Sequence, residues 1–91
     1  MNNIILNFSN CKHIGEIHQI IKKGFDLPDY YGENLDALWD CLDYYCTDKL
    51  TVHIIGFYLV AEELSGYMKK ILSIFQRVTE NSPNITFEIL S

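Results

Sequence analysis

Apolar positions along this chain fall into two rhythms, short runs and helical stripes, and the two alternate. Ile4 to Phe8 is a short, nearly unbroken apolar run of the kind that a buried strand makes. From His13 to Lys23, Ile14, Ile17, Ile20 and Ile21 recur at helical spacing. Lys22 and Lys23 suit the negative end of that helix, and Gly24 suits the left-handed residue that would close it. Phe25 through Asn34 is expected as a loop, because Pro28 cannot continue a helix and Gly32 permits a sharp change of direction. A second helix is expected from Leu35 to Tyr45 with Asn34 as its N-cap. Leu50 to Ile55 is rich in β-branched residues and predicts a second strand. Tyr58 to Leu64 predicts a short helix. Tyr67 to Thr79 predicts a longer one, with Met68, Ile71, Leu72, Phe75 and Val78 on one stripe. Ser82-Pro83-Asn84 then breaks the chain before a last strand from Ile85 to Leu90. Strands separated by helices usually lie parallel and are joined by right-handed crossovers. The expected fold class is therefore α/β, with a small three-stranded parallel sheet and helices packed against it.

Composition narrows the class without changing that picture. Ninety-one residues, 48% apolar and 21% charged, suit one globular domain spanning 1–91, since neither a repeat nor a linker divides the chain. No apolar run reaches the roughly 20 residues of a membrane-spanning helix. The start, Met1-Asn2-Asn3-Ile4, lacks the positive flank of a signal peptide, so a cytoplasmic location is expected. Cys11, Cys41 and Cys46 are odd in number and without CxxC spacing, which favours buried, reduced thiols over disulfides or a zinc site.

Charge is where the chain becomes specific. From Gly24 to Asp48 there are seven acidic residues and no lysine or arginine, so the whole net charge of −5 comes from this segment. It also holds the only tryptophan, Trp39, and four of the six tyrosines. On a helical wheel Leu35, Leu38, Cys41 and Leu42 face the sheet, whereas Asp36, Asp40 and Asp43 fall on the opposite side. Trp39 and Tyr44 flank that stripe, and Ala37 leaves room for close approach. A solvated helix face usually mixes its signs, because like charges at i, i+4 oppose the helix. Asp36 and Asp40 are such a pair with no lysine to relieve them. Only Asp36 sits where the helix dipole favours an acid. The stripe is better explained as a face for a positive partner. Of Tyr30 and Tyr31, one is expected to lie over the core and the other to stand at the interface.

Acidity argues against direct contact with nucleic acid, which needs cations to neutralise phosphates. Asp36 and Asp40 could in principle work as paired catalytic carboxylates or hold a divalent metal. No phosphate-cradling loop or nucleophile-base arrangement accompanies them, and His13, His18 and His53 lie away from the stripe. Neither a cofactor nor a metal is expected, and the chain is not expected to be an enzyme.

The run Leu27-Pro28-Asp29-Tyr30-Tyr31-Gly32-Glu33-Asn34-Leu35-Asp36-Ala37-Leu38-Trp39-Asp40-Cys41-Leu42 closely resembles the signature segment of the barstar family, intracellular inhibitors of the secreted bacterial ribonuclease barnase. Weaker similarity extends over the rest of the chain. The resemblance implies a monomer when free and a one-to-one heterodimer with a basic, extracellular-type ribonuclease, whose cleft the second helix and its preceding loop would plug. By the same match Asp40 would sit where substrate phosphate binds, and Asp36 would meet basic groups beside that pocket. Tyr30 would stack over the catalytic histidine, Gly32 and Asn34 would make close backbone and polar contacts, and Trp39 would pack at the rim. Together with Tyr31, Ala37 and Asp43, and with Tyr45 at an aromatic position of the family, these are the expected contact residues. Arg77 stands where the family has an acid, Pro83 replaces a second family cysteine, and Gly56 to Gly66 matches poorly. The alternative is an acidic binding module of the same fold that serves a different basic protein.

Overall fold

A computed structural model describes residues 2–45 and 49–90; the side chains of Asn2, Tyr44 and Tyr45 lie outside the described part. Three strands, β1 (Asn2–Asn7), β2 (Leu50–Ile55) and β3 (Ile85–Ile89), form one sheet in the order β1-β2-β3. Both pairings are parallel, with Ile4 opposite Val52 and Val52 opposite Phe87. Between the strands come α1 (Ile14–Phe25), α2 (Leu35–Tyr45) and α3 (Ser65–Asn81). This is the α/β architecture that the alternation of rhythms predicts. β2 lies in the centre and needs crossovers on both sides, which is why helices intervene.

Leu6, Val52, Ile54 and Ile85 are buried beneath the helices, while Asn3, Ile5, Asn7, Thr86 and Glu88 point to the open face of the sheet. Two successive crossovers stepping the same way place their helices on the same face. There α1 meets β1, and α3 meets β3 through stacked rings of Phe75 and Phe87, 4.4 Å apart. The α3 stripe buries Met68, Ile71, Phe75 and Val78, with Ile74 added and Leu72 only half-buried.

Several boundaries differ from the sequence expectation for physical reasons. α1 runs through Gly24 and ends at Phe25; the left-handed residue that closes it is Asp26, at φ 54°. Leu27 N–H then returns to the Lys22 carbonyl at 2.9 Å. Gly24 is needed for space instead: a Cβ there would collide with Leu6 Cδ2 and come within 3.1 Å of Ile4 Cγ2. Ile14 lies at the surface, 44% exposed, and His18 takes a core position with Ile17 and Ile21. The short helix expected over Tyr58 to Leu64 is two 3-10 turns, Phe57–Leu59 and Glu62–Leu64. They follow Gly56, whose φ is 72° and where an added Cβ would come within 2.6 Å of the Ser9 backbone, which leaves no room for a side chain.

Candidate partner-binding face

Nine residues from Asp26 to Asn34 connect α1 to α2, and their geometry is set mainly by α1. Leu27 plugs into the core, and Tyr31 N–H closes a turn onto the Pro28 carbonyl at 3.0 Å. Three residues on one side of α1 then hold the loop in succession. Lys22 Nζ pairs with Asp29 at 3.4 Å, His18 Nδ1 lies 2.5 Å from the Tyr31 hydroxyl, and Gln19 Nε2 donates to Glu33 Oε1 at 2.9 Å. Besides Asp26 at its start, the left-handed residue of this loop is Glu33, at φ 51°, and not Gly32. Gly32 serves by being small, since a Cβ would stand 3.2 Å from the Asn34 amide and 3.4 Å from Ala37.

Asn34 joins loop to helix. Its Oδ1 accepts the Ala37 N–H at 2.8 Å, and its Nδ2 donates to the Gly32 carbonyl at 3.2 Å. The first bond is an N-cap, which satisfies one of the free amides at the helix start. The helix that follows buries Leu38 and Leu42 fully and Cys41 almost so, with Leu35 half-buried. Burial pushes the Cys41 thiol up, and the charge of adjacent Asp40 adds to that.

Asp36, Asp40 and Asp43 are all exposed, and among the described residues none has an ion pair or a hydrogen bond from its carboxylate. Ala37 and Trp39 are half-buried beside them. The two tyrosines divide as their position suggested: Tyr30 is 76% exposed and Tyr31 only 4%. Tyr31, expected among the contact residues, therefore has its ring turned into the core, where its hydroxyl meets His18. Its hydroxyl is held well above the usual tyrosine range, by burial first and then by Tyr67, Cys41 and Glu33. The expectations for Tyr45 and Tyr44 fall on side chains outside the described part, and those for Cys46 and Asp48 on residues outside it.

Sequence reasoning missed the supports. His18 lies on the apolar stripe of α1 and could have been flagged as buried, but its partners Tyr31 and Tyr67 are 13 and 49 residues away. The sequence marks Arg77 by its position, but nothing local in it points to the contact that Arg77 makes. The guanidinium carbon sits 4.5 Å from the centroid of the Trp39 ring, so α3 caps one edge of the acidic face with a cation. Among the described residues no group of three histidine, cysteine or acidic side chains could hold a metal ion. None of the described helices is long and apolar enough to cross a membrane.

What this arrangement offers is a stiff helix that shows to solvent three carboxylates without an ion-pair partner among the described residues, next to a pinned loop with an exposed aromatic ring. Residues 1–90 match the family model described as Barstar (barnase inhibitor). The chain is also 36% identical, over 80 residues and 88% of each chain, to the Bacillus subtilis (strain 168) protein named "Putative ribonuclease inhibitor YrdF". By that match along almost its whole length, the chain belongs to the barstar family.

Proposed function

We propose that this protein inhibits a basic ribonuclease by laying α2 and the preceding loop into the active-site cleft, one inhibitor to one enzyme. The observation that carries it is the stripe of Asp36, Asp40 and Asp43 on the solvent side of α2, unpaired among the described residues. An enzyme that grips RNA presents a concave, positive surface, and a row of fixed carboxylates imitates the charge of an RNA backbone. Asp40, in the middle of the row, takes the place of a substrate phosphate and receives charge-assisted hydrogen bonds from cations in the cleft. Asp36 and Asp43 meet basic groups on either side. Tyr30 lies over the catalytic histidine, and Gly32 and Asn34 let the two backbones approach closely. Family membership and the ribonuclease-inhibitor name of the Bacillus subtilis relative support the same direction. The protein acts here as a plug and not as a catalyst, and long-range attraction between acidic face and basic cleft speeds its capture of the enzyme.

The test is a titration of the purified protein into a basic microbial ribonuclease with fluorescent RNA as reporter. Cleavage is expected to stop at one equivalent, and Asp40→Ala is expected to need far more. Full cleavage at micromolar wild-type protein across several basic ribonucleases would reject the proposal.

Arg77 favours a second reading, in which the acidic face serves a basic protein that is not a nuclease. A cation at the edge of the face is matched best by a partner with an acidic group at the rim of its positive surface. Affinity capture from the source cell with wild type and Asp40→Ala in parallel separates the two readings by the identity of what is lost.

A further inference from the structure

Of the three α1 side chains that hold the loop, two lie at the surface and one does not. His18 is fully buried. Its Nδ1 lies 2.5 Å from the Tyr31 hydroxyl and its Nε2 2.6 Å from the Tyr67 hydroxyl, so one ring ties α1 to both the loop and α3. The two phenol rings stand at 56° and 77° to the imidazole and close around it.

The hydrogen-bond arithmetic of this triad depends on one proton. A neutral imidazole has one N–H and one lone pair. It donates to one phenol oxygen and accepts the O–H of the other, and every polar atom is satisfied. A charged imidazole has two N–H donors and no acceptor, so the phenol that was donating must turn its hydroxyl elsewhere. Among the described residues neither phenol has another hydrogen-bond partner. Both phenol oxygens then accept from the ring, and the O–H proton of the former donor is left without an acceptor beside a fully buried imidazole, at the cost of an unsatisfied donor.

The groups facing the triad do not offset that cost. The loop contributes Tyr31 and Glu33, α3 contributes Tyr67, and α2 contributes Cys41, whose influence falls on Tyr31. Glu33 is the carboxylate that favours a charged ring, but it is exposed and already bound to Gln19. Burial acts first and in the opposite direction, and it holds His18 below its ordinary 6.5.

We propose that His18 is a proton-sensitive positioning residue for the contact loop. Neutral, it holds Tyr31 inward in a fully satisfied triad and thereby fixes Tyr30 and Gly32 on either side; charged, it leaves one phenol O–H of the triad without an acceptor, and the Tyr31 anchor of the loop loosens. His18 touches no partner and acts only through Tyr31. The release itself is a property of the free protein. Its consequence for inhibition rests on the ribonuclease reading above.

The test is a nuclear magnetic resonance titration of the free, 15N-labelled protein from pH 7.5 to 4.5. Long-range ring correlations give the protonation midpoint and tautomer of His18, while the amides of Tyr30, Tyr31, Gly32 and Glu33 report the loop. The expected result is a neutral ring at pH 7, a midpoint below 6.5, and loop amides that shift or broaden with that same midpoint. In His18→Gln, which keeps a hydrogen-bonding side chain without a titratable ring, the loop transition disappears. If that variant does not fold, Tyr67→Phe removes one of the two ring bonds, and ring and loop midpoints must then move together. Loop amides that stay still while His18 titrates, or that titrate unchanged in His18→Gln, overturn the proposal. A separate inhibition assay at pH 7.5 and 5.5 compares wild type with the variant, so that the enzyme's own titration cancels. Wild type should lose several-fold more affinity on acidification. Coincident NMR midpoints with no inhibition at either pH would sink the ribonuclease reading and leave the latch standing.

Discussion

Replacing Asp40 by alanine should make the free protein more stable while making it a far worse inhibitor. Asp40 is the sixth residue of α2, beyond the first turn in which the helix dipole favours an acid. It is exposed, and its carboxylate has no ion pair or hydrogen bond among the described residues, so truncation opens no cavity and orphans no donor. What remains favours alanine. Aspartate is among the poorer helix formers, about 0.6 kcal/mol below alanine at an interior position. Removing the like-charge pair with Asp36 at i, i+4 adds about 0.2–0.5 kcal/mol. The sum is a gain of about 1 kcal/mol, or about 4–8 °C in Tm for a domain of this size. Binding should move the other way. An acid seated among cations in a dry cleft leaves them uncompensated when it is removed, at a cost of about 3 kcal/mol or more, on the order of a hundredfold in Kd. Urea unfolding of the free variant and an inhibition titration read the two halves independently. A variant less stable than wild type would mean that Asp40 has a structural partner. Unchanged inhibition would remove it from the contact.

Four further outcomes follow from the geometry. Asn34→Ala loses the cap on Ala37 N–H and should lower stability by about 1 kcal/mol, seen as a lower urea midpoint at constant slope; an unchanged midpoint would mean that water caps the helix equally well. Gly24→Ala sets a helix gain of at most about 1 kcal/mol against a collision with fully buried Leu6 that costs about 1–3 kcal/mol. The midpoint should fall, and a rise would show that Leu6 can move aside. Arg77→Glu replaces the cation over Trp39 with an acid and should speed association with a basic ribonuclease several-fold at low salt; an on-rate that does not change in stopped flow would place α3 outside the contact field. Finally, His18 resists protonation in the folded state, so on acidification the unfolded chain takes up a proton first. The His18 contribution to stability is therefore complete above pH 6.5 and declines as pH falls from 6.5 toward the lowered folded value. The stability difference between wild type and His18→Gln should shrink over that interval, and a constant difference would contradict the assignment.

Elements whose boundaries are set by their own residues were legible from the sequence. α2 begins and ends where its pattern and its asparagine cap place it, and β2 coincides with its β-branched run. The errors occur where a distant residue decides. Gly24 looks like a helix terminator when only its neighbours are considered. The packing of Leu6 against α1 turns it into a spacer, and the left-handed position passes to Asp26, a residue type that tolerates it. Gly32 and Glu33 repeat that exchange in the loop. The acidic stripe was readable because helical periodicity alone sorts Asp36, Asp40 and Asp43 from Leu38 and Leu42. The anchoring of the loop was not, since each of its three bonds joins residues seven to fourteen positions apart through a turn that no local pattern specifies.

Those anchors bear on affinity even though they lie behind the contact face. Fixing the backbone of one residue costs about 1 kcal/mol or more. A connection of nine residues, if free until the partner arrived, would cost about 9 kcal/mol or more to order on binding, comparable to the whole free energy of a micromolar complex. Lys22, His18 and Gln19 meet that cost during folding, where core burial offsets it, and so present Tyr30, Gly32 and Asn34 already in place. A short acidic helix alone would supply charge but not shape. On the proposed reading, the arrangement of α1 behind the loop is therefore as much a part of the inhibitory surface as the aspartates in front of it, and a change on α1 that frees the loop should weaken binding without altering any residue a ribonuclease would touch.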